Sequence, residues 1–324
     1  MPHAIVVGAG ISGVACASAL AVAGIDVTLR ERGRTVGGRM ASRTMRDTGT
    51  ANDGRVVDIG ASYFTLSDPD FTAAINGLMA QGIVRTWTDA FHVAGPQGIE
   101  GVRSGPMRYA ADGGLRSIVA SLLHPAVNVV FASEAGEVAG DARGAAVDGE
   151  RVDAVAVCMP QPQSARLLAG APAPGTWEPV IVVTCAFDER TWPLLDGVFV
   201  NDDAVITWIA DDGMRRGDEA PVLVAHVHPV LSARHLDDPA AVIPAAIGAV
   251  QRVLGIRDLP SWVDAHRWTY AKPLVGSDEP FLLHGAGRVG LAGDAWSGGP
   301  RVEAAWLSGH RLGQALATRL TAAV

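Results

Sequence analysis

Three sets of residues in this chain have types and spacings that could do chemistry. The first is Gly8-x-Gly10-x-x-Gly13, with Glu31 following Gly13 by 18 residues. That is close to the spacing of about 20 at which an acid meets a ribose hydroxyl. Glycines so placed permit a tight turn (Gly8), close approach of the backbone to a pyrophosphate (Gly10) and close packing of helix on strand (Gly13). The free N–H groups of the helix start at Ile11, Ser12 and Gly13 then favour an anion, so the stretch predicts a bound dinucleotide. The second set is His226 and His228, which alternate on an expected strand and therefore share a face; one of them could take a proton near neutral pH. No carboxylate or third histidine lies near them at ligand spacing, so no metal site is expected. The third set is Trp268, Tyr270 and Lys272, which alternate in the same way. Aromatics there could stack on a planar substrate or simply fill a core. No catalytic triad, carboxylate pair or metal box stands out. Hydride transfer, which needs orientation and a dry pocket more than an acid or base, suits such a sequence.

The elements that must hold these residues follow from the pattern. Ala4-Ile5-Val6-Val7 reads as a buried strand, the glycine loop leads into a helix through Ala23, and Asp26-Val27-Thr28-Leu29 is a second strand ending on Glu31-Arg32. Gly37-Gly38-Arg39-Met40 comes directly afterwards. Its glycines let the backbone fold close under a dinucleotide, and Arg39 can fork onto a phosphate. Residues 56–61 form a strand ending on a small-residue turn. At the far end, residues 289–292 form a short strand that runs into Gly293-Asp294, and a helix spans about 302–320.

Between these ends, helical spacing covers residues 70–82, with Phe71, Ile75, Leu78 and Met79 on one face. Further helices are expected at 115–123 and 238–254. Strand patterns cover 84–93, 98–102, 128–132, 145–147, 152–158, 180–187, 198–200, 205–209, 222–227 and 262–270. The expected fold class is α/β: a Rossmann-type dinucleotide-binding domain (GxGxxG βαβ) with an inserted mixed, strand-rich α+β substrate domain. The nucleotide domain takes residues 1–65, 105–172 and 281–324; the substrate domain takes 66–104 and 173–280.

At 324 residues, 48% apolar and 19% charged, the chain can bury a substantial core and is not expected to be disordered. Its net charge of −8 is spread out, with no basic run to suggest nucleic acid or an anionic membrane. No apolar run reaches transmembrane length. Gly8 leaves no room for a signal peptide ahead of the first strand. Cys16, Cys158 and Cys185 are scattered, which fits buried, reduced thiols. A cytoplasmic location is the expectation.

Gly8-x-Gly10-x-x-Gly13, Glu31-Arg32, Gly37-Gly38-Arg39 and Gly293-Asp294 resemble the FAD-binding signature of the flavin amine oxidase superfamily. Within it the chain is most similar to bacterial renalase-like proteins. The matching stretches are Asp58 to Phe64, Arg108-Tyr109 with Gly113-Gly114-Leu115, His266 to Ala271, and Gly290 to Gly309. The resemblance implies FAD as cofactor. Glu31 would bind the adenosine ribose, Arg32 would lie near the adenine, and Arg39, with Gly38 and Met40, would meet the pyrophosphate. Gly60 and Ala61 would pass close to the isoalloxazine, and Asp294 would accept from the ribityl chain. The valine usual at the adenine is replaced by Ala135. The helix start at Arg301 and Val302 would face the pyrimidine end of the flavin, where a helix N-terminus stabilises growing negative charge. Glu303, in that first turn, reads as a capping acid.

The implied activity is an oxidase that takes a hydride from a 2- or 6-dihydro isomer of NAD(P)H and passes electrons to O2, giving NAD(P)+ and H2O2. Tyr63 and Phe64 would line the cavity. Lys272 is of interest because some flavin oxidases of the superfamily hold a lysine near N5. An anionic dinucleotide substrate would call for basic residues at the mouth, such as Arg43, Arg103 or Arg234. The alternatives are an amine oxidase or small-molecule desaturase, and a flavin-binding protein that turns nothing over. A monomer or homodimer is expected.

Overall fold

The computed structural model describes residues 1–322. In chain order it forms β1 (His3–Val7), α1 (Ile11–Val22), β2 (Asp26–Arg30), β3 (Ser42–Thr44), β4 (Val56–Asp58), α2 (Pro69–Ala80), β5 (Arg85–Gly95), β6 (Gly98–Ala110) and α3 (Leu115–Ser121). It continues through β7 (Asn128–Val130), β8 (Val138–Asp141), β9 (Gly144–Val147), β10 (Glu150–Val152), β11 (Ala154–Cys158), α4 (Gln161–Leu167), β12 (Trp177–Ala186), β13 (Gly197–Val200) and β14 (Ile206–Asp211). The last third holds α5 (Asp212–Arg216), β15 (Val222–Val227), α6 (Pro229–Arg234), α7 (Ile243–Leu254), β16 (Trp262–Pro273), β17 (Leu282–His284), β18 (Val289–Ala292) and α8 (Val302–Thr321). The fold class expected from the sequence is the one observed.

The first sheet runs β17-β18-β11-β1-β2-β7, parallel except for the β17–β18 pair. Strand alternation splits β1 between two cores. Ala4 and Val6 join α1 and α8 on one face, while Ile5 and Val7 join the small sheet β10-β9-β8 on the other. In β11, Ala154 and Ala156 face the helices and Val155 and Val157 face away. Small side chains on the helix face let α1 lie close. Glycines let α8 lie on α1 in turn: a Cβ on Gly309 would stand 1.9 Å from the Ser12 carbonyl oxygen, and one on Gly313 would stand 2.6 Å from that of Cys16. Phe71, Ile75 and Leu78 of α2 are buried in this same core. The three cysteines are free and buried.

The second sheet runs β16-β12-β15-β14-β13-β5-β6, antiparallel apart from the β13–β5 pair. One face is covered by α7 through Ala246, Ala249, Val250 and Val253. The other presents Val182, Trp208, Val224 and Phe91 to Met45, Val57 and Ile59, so the β3–β4 ribbon is its partner. The expected strand at 152–158 is two strands, because the chain passes at Asp153 from the small sheet, where β10 pairs with β9, to the first sheet, where β11 pairs with β1. β17 and α5 were not anticipated: β17 is three residues and α5 five, too short to show a period. No helix among the described residues is long and apolar enough to cross a membrane.

Candidate functional site

The glycine loop owes each of its glycines to a different constraint. Gly8 has φ +100°, and a Cβ on Gly13 would stand 1.8 Å from the Gly8 carbonyl oxygen. A Cβ on Gly10 would meet nothing nearer than Gly38 Cα at 3.9 Å, so Gly10 faces open space. Gly37 N–H donates to Ala9 O at 2.9 Å, which lays the Gly37-Gly38-Arg39 turn over the loop. α1 starts with no side-chain cap and no acid in its first turn, and α8 starts at Arg301 with no side-chain cap. The buried Ser12 Oγ finds no partner among the described residues. Uncapped helix starts, open space and an unsatisfied hydroxyl are the features a pyrophosphate would complete. The residues present therefore fit a dinucleotide such as FAD.

Glu31 ties this loop together. Its Oε2 accepts the Ala9 N–H at 2.8 Å and its Oε1 the Gly33 N–H at 2.7 Å. Arg32 beside it is exposed, and Met40 is buried. Ala135 is buried behind the β2 terminus, where Arg30 Nε donates to Ser133 Oγ. Arg39 reaches across the chain: Nη1 donates to Asp294 Oδ2 at 2.7 Å and to Ala271 O at 3.0 Å, and Nη2 donates to Asp294 Oδ1 at 2.5 Å. Gly60 is small because its Cβ would strike the Arg39 carbonyl oxygen at 2.0 Å, and the Ala61 N–H donates to that oxygen at 2.8 Å.

Glu303 is an anchor for another helix. It accepts the N–H groups of Ser67 at 2.6 Å and Asp68 at 2.8 Å, holding the entry to α2 instead of capping its own α8. Val302 is half-buried against the nucleotide core.

The turn from Asp58 to Tyr63 is gripped from the sheet side by a buried ion network. Arg215 donates to Asp212 Oδ1 at 2.8 Å and to the Ser62 carbonyl at 3.0 Å. Arg216 donates to Asp212 Oδ2 at 3.0 Å and to the carbonyls of Ala111 and Asp112. Burial alone would raise the Asp212 carboxyl, but Arg216, Arg215 and Arg55 outweigh it and hold it at about 2. Asp58 Oδ1 accepts from Ser42 Oγ at 2.6 Å and from Leu115 N–H at 2.8 Å. This explains Gly113-Gly114-Leu115: Gly114 has φ +81°, and a Cβ there would lie 2.2 Å from Ser42 Oγ. The sequence signal for the network was Asp212 with Arg215 and Arg216 at helical i,i+3 and i,i+4 spacing, in a short charged stretch between two apolar strands.

On the sheet face beyond this turn, Tyr63 packs against Phe91, Phe199 and Trp208 with ring centroids 5.3, 6.4 and 5.9 Å away. Burial raises its phenol, and the charge of Arg108 opposes the rise. Trp268 Nε1 donates to the Ile59 carbonyl at 2.6 Å, fastening β16 to the same turn. Phe64 is buried and bridges to Tyr109.

Two expectations from alternation, and one from substrate charge, need correction. His226 and His228 do not share a strand face, because β15 ends at Val227. Pro229 breaks the ladder there, and His228 Nδ1 accepts the Val230 N–H at the start of α6. The cross-strand neighbours of His226 are Val182 and Trp208, and His266 continues the row on the far side of Val182. Burial, then the charge of Arg215, pushes His226 down to about 4, and burial also lowers His266. Trp268, Tyr270 and Lys272 do not run as one row either. β16 bulges against β12, so that Val180 pairs with Trp268 and Glu178 already pairs with Lys272. Tyr270 OH accepts from Arg166 at 2.9 Å, and the exposed Lys272 sits 3.9 Å from Glu178. The three arginines named for a pocket mouth are dispersed. Arg43 pairs with Asp264, Arg103 is exposed on the edge strand β6, and Arg234 ends α6.

Residues 6–78 match the family described as an NAD(P)-binding Rossmann-like domain. The whole chain is similar to a candidate protoporphyrinogen oxidase from Exiguobacterium sp. 255-15, at 14% identity, TM-score 0.74, covering 100% of this chain and 99% of that one. It is similar to a triply substituted putrescine oxidase at 16% identity and TM-score 0.71, with 100% and 99% covered. Cyclohexylamine oxidase from Brevibacterium oxydans IH-35A matches at 15% identity and TM-score 0.72, with 99% of each chain covered. At these identities the likeness is one of fold.

Proposed function

We propose that this protein is an FAD-dependent oxidase of renalase-like type. Its substrate would be a small reduced molecule, foremost a 2- or 6-dihydro isomer of NAD(P)H, oxidised to NAD(P)+ with O2 as acceptor and H2O2 as product. The observation that carries the reading is the double attachment of one turn. Gly60 and Ala61 rest on the Arg39 carbonyl of the dinucleotide loop, while Ile59, Ser62 and Tyr63 are held by Trp268, Arg215 and the aromatic face of the second sheet.

Gly8, Gly10, Ile11, Ser12 and Gly13 would hold the pyrophosphate of FAD, with Gly38 and Arg39 above it. Glu31 has further lone pairs for a ribose hydroxyl, and Asp294 would accept from the ribityl chain. FAD when bound supplies a two-electron hydride acceptor. The chain's own part is orientation and exclusion of water. Aromatic side chains make the walls, and His226, held neutral, offers no competing cation at pH 7.

The amine-oxidising alternative draws on the likeness to putrescine and cyclohexylamine oxidases. Purified protein would be reconstituted with FAD and mixed anaerobically with 6-dihydro-NAD, cyclohexylamine and putrescine while the flavin absorbance is followed. Rapid bleaching by the dihydronicotinamide alone supports the first reading. Bleaching by amines alone replaces it with the second, and no bound flavin at all removes both.

A further inference from the structure

We propose that Arg108, stacked on Tyr63 and Phe91 with Trp87 and Trp208 packed against Phe91, is a recognition site for an oxyanion of the substrate, a carboxylate or phosphate borne on an apolar body. The inference rests on the reading that the substrate enters at this face of the second sheet. Arg108 is only 6% exposed, although the seven residues before it on the edge strand β6 are all exposed. Its guanidinium lies 4.3 Å from the Phe91 ring centre and 5.7 Å from that of Tyr63.

What sets Arg108 apart is the lack of anything to accept its protons. Nε and Nη1 are sealed from solvent and meet no acceptor among the described residues, and no ion pair is formed by Arg108 among them. The chain's other deeply buried arginines are treated differently: Arg215 and Arg216 each meet the Asp212 carboxylate and backbone carbonyls. A buried charge without a counter-charge is costly, and stacking on aromatic faces offsets only part of that.

The surroundings of Arg108 repeat the pattern. Trp87 Nε1 and Trp208 Nε1 are also buried donors without partners among the described residues. Trp87, Trp208 and Tyr63 are each in ring contact with Phe91, so these donors belong to one cluster. Several unmet donors around one cation call for a ligand with many lone pairs and a negative charge. A guanidinium fork matches carboxylate or phosphate in two parallel hydrogen bonds, and the rings suit the apolar body behind it. A cationic amine would be repelled. Phe64 bridges to Tyr109, so the site adjoins the turn that follows Gly60 and Ala61.

The test uses the purified protein with its flavin and needs no turnover. Benzoate, inorganic phosphate and benzylamine are titrated separately at constant ionic strength, with tryptophan fluorescence as the signal because Trp87 and Trp208 edge the site. Flavin absorbance is recorded in parallel, so a failure of the FAD reading is seen separately. Saturable quenching by benzoate or by phosphate, and none by benzylamine, is expected; whichever anion acts identifies the group. Loss of the charge-assisted bonds in Arg108→Gln should weaken the anion about tenfold or more, with Arg108→Lys in between. No saturable response to either anion in the unsubstituted protein would overturn the site, whatever the variants do. Equal anion affinity in folded Arg108→Gln would do the same.

Discussion

Arg39 and Asp294, 255 residues apart, are joined by two near-parallel hydrogen bonds of 2.7 and 2.5 Å. The pair ties the turn after β2 to the turn after β18, with the Ala271 carbonyl as a third acceptor and Trp177 beneath the guanidinium at 5.4 Å. Asp294→Ala leaves Arg39 with one carbonyl partner. Because the arginine keeps some exposure, the expected loss is about 1–3 kcal/mol. Thermal unfolding of the FAD-free protein would show a lowered midpoint, and flavin absorbance after desalting would fall. A variant equal to the parent in both would mean that the pair neither ties the two turns nor holds the cofactor.

Glu31 offers a sharper test of the adenosine end. Both carboxylate oxygens already accept backbone N–H groups, from Ala9 and from Gly33. Glu31→Gln keeps one acceptor and turns an NH2 toward the other N–H, loosening the glycine loop just where a ribose would bind. FAD affinity should fall about tenfold, equivalent to roughly 1.4 kcal/mol. Fluorescence titration with FAD measures this directly, and unchanged affinity would leave Glu31 as a loop tie alone.

The buried ion network predicts a large contrast between two charge deletions. Asp212 is fully buried, and its removal leaves Arg215 and Arg216 with Asp58 as their one remaining carboxylate among the described residues. Asp212→Ala should cost about 3–5 kcal/mol. Arg151, whose side chain is 61% exposed beside Asp141, should cost less than about 1 kcal/mol when replaced by alanine. Urea midpoints for the two variants settle the ordering, and a similar cost for both would remove the network from the account of stability.

The parts legible in the sequence were those set by local chemistry. The glycine loop, the strand at 289–292 and α8 follow from residues that constrain their own backbone or repeat with the helical period. The sheet face facing Tyr63 was not legible in this way, because its partners come from β5, β13, β14, β15 and β16, brought together only by strand order. Alternation correctly gave a strand at 222–227, yet it carried His228 past Pro229 and missed His266, whose neighbour across β12 is His226. Arg108 was visible only as part of a family-like dipeptide. Its burial depends on the last residues of an exposed strand turning inward.

Acidification should lower the stability of the protein in two stages. His226 has a folded pKa of about 4 against an ordinary 6.5. Between those values the unfolded chain binds a proton that the folded chain refuses, so stability falls as pH drops through the window. The full loss from this one ring is on the order of 3 kcal/mol. Asp212 contributes stability above its ordinary 3.8 that is lost as pH falls toward its folded value of about 2. His226→Asn should flatten the first stage and leave the second. Urea midpoints measured from pH 7 to pH 2 would show it; an unaltered first stage would assign that loss to His266 and His310, which burial shifts in the same direction.

The glycine loop separates folding from cofactor binding at two positions three residues apart. A Cβ on Gly13 would stand 1.8 Å from the Gly8 carbonyl oxygen and 3.3 Å from Cys158 Cβ. Nothing there is a flexible side-chain end that could move aside, so Gly13→Ala must push α1 off the sheet and should give little folded protein. Gly10 has φ −74°, which alanine adopts without strain, and its Cβ would meet only Gly38 Cα at 3.9 Å. Gly10→Ala should therefore fold with an unchanged thermal midpoint in the absence of FAD, while its methyl occupies the space a pyrophosphate needs. Flavin content after reconstitution should fall at least about tenfold, the loss of close backbone approach that the middle glycine exists to allow. If Gly10→Ala retains FAD like the parent, the open space above Gly10 is not where the pyrophosphate lies.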